Sequence, residues 1–146
     1  MADKPKEAVS IKGSCLCRSI QYELRGAPFA NILCHCDNCR KACGSPFAAG
    51  SKYAKDQLSV THGQNLLRMF DDAHTDSGSV IHRAFCGTCG SSLFVTHSVY
   101  VDIVSVAMGS MEGQQSAWRP EQELYCKRRL EFLPKVEGTV CRDSLS

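Results

Sequence analysis

The stretch FCGTCGS, residues 85–91, decides how this chain folds. A Cys-x-x-Cys pair followed by glycine forms a turn that directs two sulfurs, here those of Cys86 and Cys89, at one ion. A structural zinc site takes four thiolate or imidazole ligands, so this turn needs two more. The stretch GSCLC, residues 13–17, can supply them, because Cys15 and Cys17 project from the same side of an extended segment. The two pairs predict a closed four-cysteine site; a redox dithiol at Cys86 and Cys89 is the alternative.

A second set of cysteines lies in CHCDNCRK, residues 34–41. If the paired cysteines fill one site, Cys34, Cys36 and Cys39 leave a second zinc with an open fourth position, the arrangement of a catalytic metal. Cys43 or His35 could close this site instead. Alternation turns His35 away from the sulfurs, which favours a packing role, and we interpret Cys43 as a nearby thiol. Three thiolates give the centre a formal charge of about −1, which suits sulfur chemistry better than water activation.

Composition sets the class of protein. The 146 residues are 43% hydrophobic and 22% charged, which is typical of one soluble globular domain. The net charge of +2 does not indicate binding to nucleic acid or to an anionic membrane. No apolar run predicts a signal peptide or a membrane span. Ten cysteines without a secretion signal indicate metal binding rather than disulfides, and a cytoplasmic location where thiols stay reduced.

The hydrophobic pattern predicts a mainly β domain over residues 11–134, with a flexible N-terminus at 1–10 and a polar C-terminal tail at 135–146. A helical turn at 37–42 is expected to end at Gly44. We interpret residues 71–78, with His74, as a plain surface loop; a loop that covers a site is the alternative. Strands are predicted at 19–25, 58–62 and 66–70 (these two joined across Gly63), 80–85, 92–96, 99–107 and 124–133.

These motifs resemble one known family, the glutathione-dependent formaldehyde-activating enzymes, which share a domain with centromere protein V. The resemblance rests on GSCLC at 13–17 with SIQY at 19–22, CHCDNCR at 34–40 with GSPF at 44–47, and FCGTCGS at 85–91, and it spans about residues 11–133. It implies the Mss4-like fold, several small antiparallel sheets organised around zinc. It also implies two zinc ions per chain, a structural one on Cys15, Cys17, Cys86 and Cys89 and a catalytic one on Cys34, Cys36 and Cys39.

The family's activity implies a zinc-dependent carbon–sulfur lyase acting on adducts of glutathione, or a similar thiol, with a small aldehyde or other electrophilic carbon. Alternatives are a non-catalytic zinc module that binds a protein, and carriage of glutathione or zinc without turnover. Arg40 and Lys41, beside the second cluster, are candidates for binding the anionic groups of glutathione, whereas residues 127–129 (KRR) are interpreted as solvated. Exposed sheet edges would allow a homodimer.

The chain departs from the family pattern at several positions. Arg18 replaces a common glycine, Cys43 a small residue, and Phe132 a frequent tryptophan, while residues 123–125 (ELY) stand where a histidine-containing strand is common. The zinc assignments do not depend on these positions. The substrate pocket does, so formaldehyde itself does not follow from the resemblance.

Overall fold

The computed structural model describes residues 9–144, and most of its regular structure is β-strand, as predicted. Residues 1–8 of the predicted flexible N-terminus lie outside the described residues. The elements are β1 Ser10–Ser14, β2 Gln21–Arg25, β3 Ala30–Cys34, α1 Asp37–Cys43, β4 Ala48–Ala54, β5 Leu58–His62, β6 Leu67–Asp72, β7 Ile81–Cys86, β8 Ser92–His97, β9 Ile103–Ala107, β10 Gln122–Leu124 and β11 Val140–Arg142.

The strands form two sheets. The smaller sheet has the order β1-β2-β5, and the larger has the order β11-β10-β3-β4-β9-β8-β7-β6. Neighbours are antiparallel, except that β10 pairs in parallel with both β3 and β11. Alternation explains the burial of β2, since Tyr22 and Leu24 are buried while Gln21 and Arg25 are exposed.

The main core lies between the two sheets. Tyr22, Leu24, Tyr53 and Val106 are almost completely buried there. Tyr22 meets Phe94 edge to face at 5.1 Å between ring centroids, a favoured aromatic geometry. A second, smaller core of Ala30, Ile32, Cys34 and Leu124 packs beside the second cysteine cluster.

Helix α1 begins and ends as its sequence predicts. Cys36 is the residue before the helix, and its sulfur accepts the Cys39 backbone N–H at 3.3 Å. Gly44 ends the helix with φ 62°, and its N–H donates to the Arg40 carbonyl, as in a common glycine C-cap. The first turn of this short helix therefore holds Cys36 and Cys39 on one side of the chain.

Several predicted elements are wrong. The segment 124–133 is not a strand, because Tyr125 adopts a left-handed backbone (φ 56°) and a 3₁₀ turn, Cys126–Arg128, follows. The segment 99–107 is a strand only from Ile103. Strands β5 and β6 are not paired across Gly63, because β5 belongs to the small sheet and β6 is an edge of the large one. Strand β4 was missed, since AAGSKYA lacks a strong β pattern.

The polar segment after residue 134 contributes to the large sheet. Strand β11 pairs with β10 in parallel, with Glu123 opposite Cys141. Thr139 is buried and donates its hydroxyl to the Glu123 carboxylate at 2.7 Å. The composition of the segment does not indicate this strand, which depends on one buried acceptor in β10.

Candidate active site

The first cysteine cluster joins the small sheet to the end of β7. The sulfurs of Cys15, Cys17, Cys86 and Cys89 all lie within 4.8 Å of one another. The Cys15–Cys17 sulfur distance is 3.5 Å and the Cys17–Cys86 distance is 3.8 Å. A regular tetrahedron with Zn–S bonds of about 2.3 Å has sulfurs about 3.8 Å apart. The four side chains therefore fit a zinc ion.

Backbone amides and hydroxyls support the thiolate forms of this cluster. The amides of Thr88 and Cys89 donate to the Cys86 sulfur at 3.4 and 3.5 Å. The Ser91 hydroxyl, 3.1 Å from the Cys89 sulfur, lowers the pKa of Cys89 to about 5. Burial raises the pKa of the Cys15 thiol. Because zinc binds thiolates, a bound metal would replace the protons of this cluster.

The second cluster contains three sulfurs. Those of Cys34, Cys36 and Cys39 lie within 4.8 Å of one another, where β3 passes into α1. The hydrogen bond from the Cys34 thiol is the main cause that lowers the pKa of Cys36 to about 2, and the same interaction raises the pKa of Cys34. A lowered pKa favours the thiolate of Cys36, and the thiolate is the form of cysteine that binds metal.

Neither alternative fourth ligand belongs to this group of sulfurs. His35 is buried, and its Nε2 lies 2.9 Å from a Glu123 carboxylate oxygen, so its ring packs away from the cluster, as alternation predicted. Cys43 lies one turn beyond Cys39 and lines the cavity described below. Among residues 9–144, this group therefore consists of three sulfurs.

Glu123 is a buried carboxylate that sequence reasoning missed. Besides His35 it accepts hydrogen bonds from the Thr139 hydroxyl, the Val136 backbone N–H at 3.3 Å and Arg129. Burial would raise the pKa of Glu123, but these partners outweigh burial and lower it. The carboxylate thereby joins the Cys34–Cys36 segment to the C-terminal strand.

A cavity of about 640 Å³ opens beside the three sulfurs. One wall is α1 with the cluster, and another is the face of the large sheet formed by β4, β7, β8 and β9. This volume is within the range of small-molecule sites. The three-sulfur group therefore lies at the wall of a cavity large enough for a small molecule.

The loop at 71–78 lines this cavity, which corrects its interpretation as a plain surface loop. The Asn38 side-chain amide donates to both carboxylate oxygens of Asp72, at 3.1 and 3.0 Å, and to the His74 carbonyl at 2.6 Å. Arg83 donates to the same carboxylate from β7. Asn38 lies inside the CHCDNC motif, so the segment that carries the cysteines also anchors the loop.

The two cations predicted to bind anions differ in position. Lys41 lines the cavity. Arg40 is not part of the lining, since its guanidinium donates to the Asp37 carboxylate at 2.6 Å and to the Arg128 carbonyl at 2.7 Å. The sequence also missed Lys52, which lines the cavity from β4.

The basic run 127–129 lies on a turn where Lys127 and Arg128 are exposed, as predicted, while Arg129 is half-buried. Lys127 pairs with Asp143, and Arg129 with buried Glu123. Arg128 bridges Asp37 and Asp76 at 3.0 and 2.9 Å. None of the three cations lines the cavity beside the cysteines.

Comparison with known proteins agrees with this arrangement. The profile of the family described as glutathione-dependent formaldehyde-activating enzyme matches residues 10–128, a range that contains all seven clustered cysteines. The chain belongs to this family. The match covers both sheets up to β10, so the family assignment applies to the fold and to both cysteine clusters.

Individual relatives share about a third of their residues with this chain over the matched segments. An uncharacterized lyase of Schizosaccharomyces pombe is 32% identical over 87 residues, 60% of this chain and 58% of that protein. A Podospora anserina protein, provisionally named a glutathione-dependent formaldehyde-activating enzyme, is 31% identical over 108 residues, 69% of this chain and 48% of that protein. The chain thus spans about half the length of the curated relatives it matches.

A crystal structure of a Rhodobacter sphaeroides protein shares the fold. It has 22% sequence identity and a TM-score of 0.56, and the match covers 70% of this chain and 88% of that one. The predicted mainly β, Mss4-like fold is confirmed. Among residues 9–144, no helix has the length and apolar character needed to cross a membrane.

Proposed function

We propose that this protein is a zinc-dependent carbon–sulfur lyase acting on adducts of glutathione, or a similar thiol, with a small aldehyde or other electrophilic carbon. The observation that carries the proposal is the three-cysteine cluster at the wall of a 640 Å³ cavity. Family membership and the lyase name of the S. pombe relative support the reaction class. The proposal includes two zinc ions per chain and a cytoplasmic location, where thiols are reduced.

Each cluster has a separate role in this proposal. Cys15, Cys17, Cys86 and Cys89 would hold a structural zinc that fixes the small sheet against β7. Cys34, Cys36 and Cys39 would hold the second ion. When bound there, zinc supplies a Lewis acid with one position open to a thiolate or a substrate oxygen.

The surrounding residues bind and orient the substrate. Lys41, on the cavity lining, presents a cation to a carboxylate of the thiol. In the cleavage direction the carbon–sulfur bond breaks, the carbinol oxygen becomes the carbonyl oxygen, and its proton ends on the released thiol. Holding both partners in one cavity makes the reverse addition effectively intramolecular.

The test is calorimetric titration of glutathione into protein shown to contain two zinc ions per chain. We expect saturable binding that disappears in Cys36→Ser, which should retain one zinc. Cys43→Ser is the matched control, since this thiol lines the same cavity without belonging to the three-sulfur group. Loss of binding in Cys43→Ser alone would contradict the assignment of the second site.

Activity is measured as aldehyde released from the hydroxymethyl adduct of glutathione. We expect the rate to depend on the second zinc and to exceed the rate of the Cys36→Ser protein. Glutathione binding without any acceleration would refute the lyase and favour carriage. No binding to the two-zinc protein would favour the non-catalytic protein-binding module. A homodimer stays a prediction.

A further inference from the structure

We propose that Lys52, with His97 on the same lining of the cavity, forms an anion subsite that binds a carboxylate group of the substrate. The inference shares one assumption with the proposed function, which is that the substrate binds in the cavity beside the second cluster. Lys52 and His97 both line that cavity, and neither belongs to a cysteine motif. Lys52 is at the middle of β4 and His97 is the last residue of β8.

The register of the large sheet places Lys52 on the cavity face. Lys52 is opposite Ser105, Ser105 is opposite Val95, and Val95 is opposite Arg83. All four line the cavity. Because residues directly opposite one another project from the same face of a sheet, this row runs across the floor of the cavity, with a cation at each end.

The two cations of this row differ in their partners. Arg83 is neutralised by Asp72, which accepts from it at 3.2 and 3.0 Å. Asp76, the other carboxylate of the lining, is paired with Arg128. The ion pairs of residues 9–144 leave the Lys52 ammonium without a carboxylate.

A half-buried ammonium without a counter-ion is costly. Burial lowers the pKa of Lys52, which reflects the loss of hydration around its charge. Charged groups removed from water are usually paired. An anionic ligand that entered the cavity would supply the missing partner, and binding would be stronger than at an exposed lysine.

His97 adds a hydrogen-bonding group on the same sheet wall of the cavity, two strands away from Lys52. Burial, assisted by the charge of Lys52, lowers the pKa of His97, so its ring is neutral near pH 7. Its Nδ1 is buried and has no hydrogen-bond partner within residues 9–144. The Tyr100 ring packs on the imidazole at 5.7 Å between centroids. A neutral imidazole can donate one N–H to a carboxylate. His97 can therefore contribute to the subsite without carrying a positive charge.

The subsite lies along β4 from the cysteine cluster. Cys34 is opposite Ala48, and Lys52 is four residues further along the same strand, a rise of about 13 Å between the backbones. Cys34 and Lys52 both line the cavity, on the same face of the sheet. A thiol held at the cluster can thus place a carboxylate of its own near Lys52. A carboxylate on the carbonyl substrate is the other source.

The test compares Lys52→Met with Lys55→Met in the full, two-zinc protein. Lys55 is an exposed lysine on the 3₁₀ turn after β4. Its substitution therefore removes the same charge at a position outside the cavity. The ligands are glutathione and its glycine ethyl ester, titrated by calorimetry, and the aldehydes are formaldehyde and glyoxylate, compared by KM. Circular dichroism and zinc content check the fold, and Lys52→Arg should restore binding.

A charge-assisted contact of about 1.5–3 kcal/mol corresponds to a loss of about 10- to 150-fold. If Lys52→Met binds glutathione more weakly but binds the ester as wild type does, the carboxylate that contacts Lys52 belongs to the thiol. If Lys52→Met raises the KM for glyoxylate but leaves the KM for formaldehyde unchanged, that carboxylate belongs to the carbonyl substrate. If Lys52→Met matches Lys55→Met for every ligand, the subsite is wrong.

A second measurement separates this subsite from the lyase. Wild-type protein is acetylated with an amine-reactive ester, with and without N-acetylglycine, and the modified lysines are identified by mass spectrometry. Protection of Lys52 but not Lys55 supports the subsite even if no thiol binds or reacts. Equal labelling with and without the carboxylate overturns it, whatever the outcome for glutathione.

Discussion

Replacing Glu123 by alanine tests whether the buried carboxylate holds the second cluster and the C-terminal strand together. Glu123 is 1% exposed and accepts from His35, Thr139, Val136 and Arg129. Removing one partner of a buried charged network typically costs about 3–5 kcal/mol, because the remaining groups stay desolvated and unpaired. Glu123→Ala is therefore expected to lower the free energy of unfolding by about 4 kcal/mol, a large part of the stability of a domain this size.

The assay is urea unfolding at saturating zinc, followed by the fluorescence of Trp118, the only tryptophan. Its indole N–H donates to the Ser51 hydroxyl at 2.8 Å, so its environment changes on unfolding. Glu123→Gln keeps the shape and some hydrogen bonds, so it should cost less than alanine. Exposed Glu121→Ala is the control, expected within about 0.5 kcal/mol of wild type. A cost below about 1 kcal/mol for Glu123→Ala would refute the network.

Three further perturbations test other features. The folded-state pKa of Glu123 is below its ordinary value, so its stabilisation is full above the unfolded pKa of about 4.3 and is lost as pH falls through the folded pKa. Urea titrations should therefore show the stability advantage of wild type over Glu123→Gln unchanged down to about pH 5 and shrinking from there to about pH 3. Gly63→Ala should lower the free energy of unfolding by about 2–4 kcal/mol in urea, because φ is +76° and the new Cβ would lie 2.1 Å from a backbone oxygen. Gly109→Ala is the control and should be near neutral, because its Cβ would have no atom within 4 Å. Asn38→Ala removes the amide that binds the 71–78 loop; mass spectrometry should detect faster hydrogen exchange in that loop, and unchanged exchange would contradict its anchoring role.

The cysteine pattern predicted which sulfurs lie together. Two-residue spacing on an extended segment and a Cys-x-x-Cys turn are local geometries, so the four-sulfur group could be anticipated from 13–17 and 85–91. The same holds for α1, because a helix of seven residues ended by glycine depends on its own residues. The orientation of His35 followed from alternation.

Sheet order and the cavity could not be predicted in this way. Strand β10 is three residues long and lies between β3 and β11, which are far from it in sequence. Its place depends on hydrogen bonds and on the burial of Glu123, neither of which has a periodic signature. For the same reason the segment after Tyr125 was predicted as a strand, although a left-handed residue turns it away.

The sequence by itself determined the family, the mainly β class and the two groups of cysteines, since these follow from residue types at short spacing. Tertiary structure alone decided which polar groups surround the second cluster. It brought Lys52 into the cavity opposite an already neutralised Arg83, and it tied the 71–78 loop to Asn38. The physical reason is that charge pairing and burial depend on strands distant in the chain, whereas the direction of two neighbouring thiols depends only on the backbone between them.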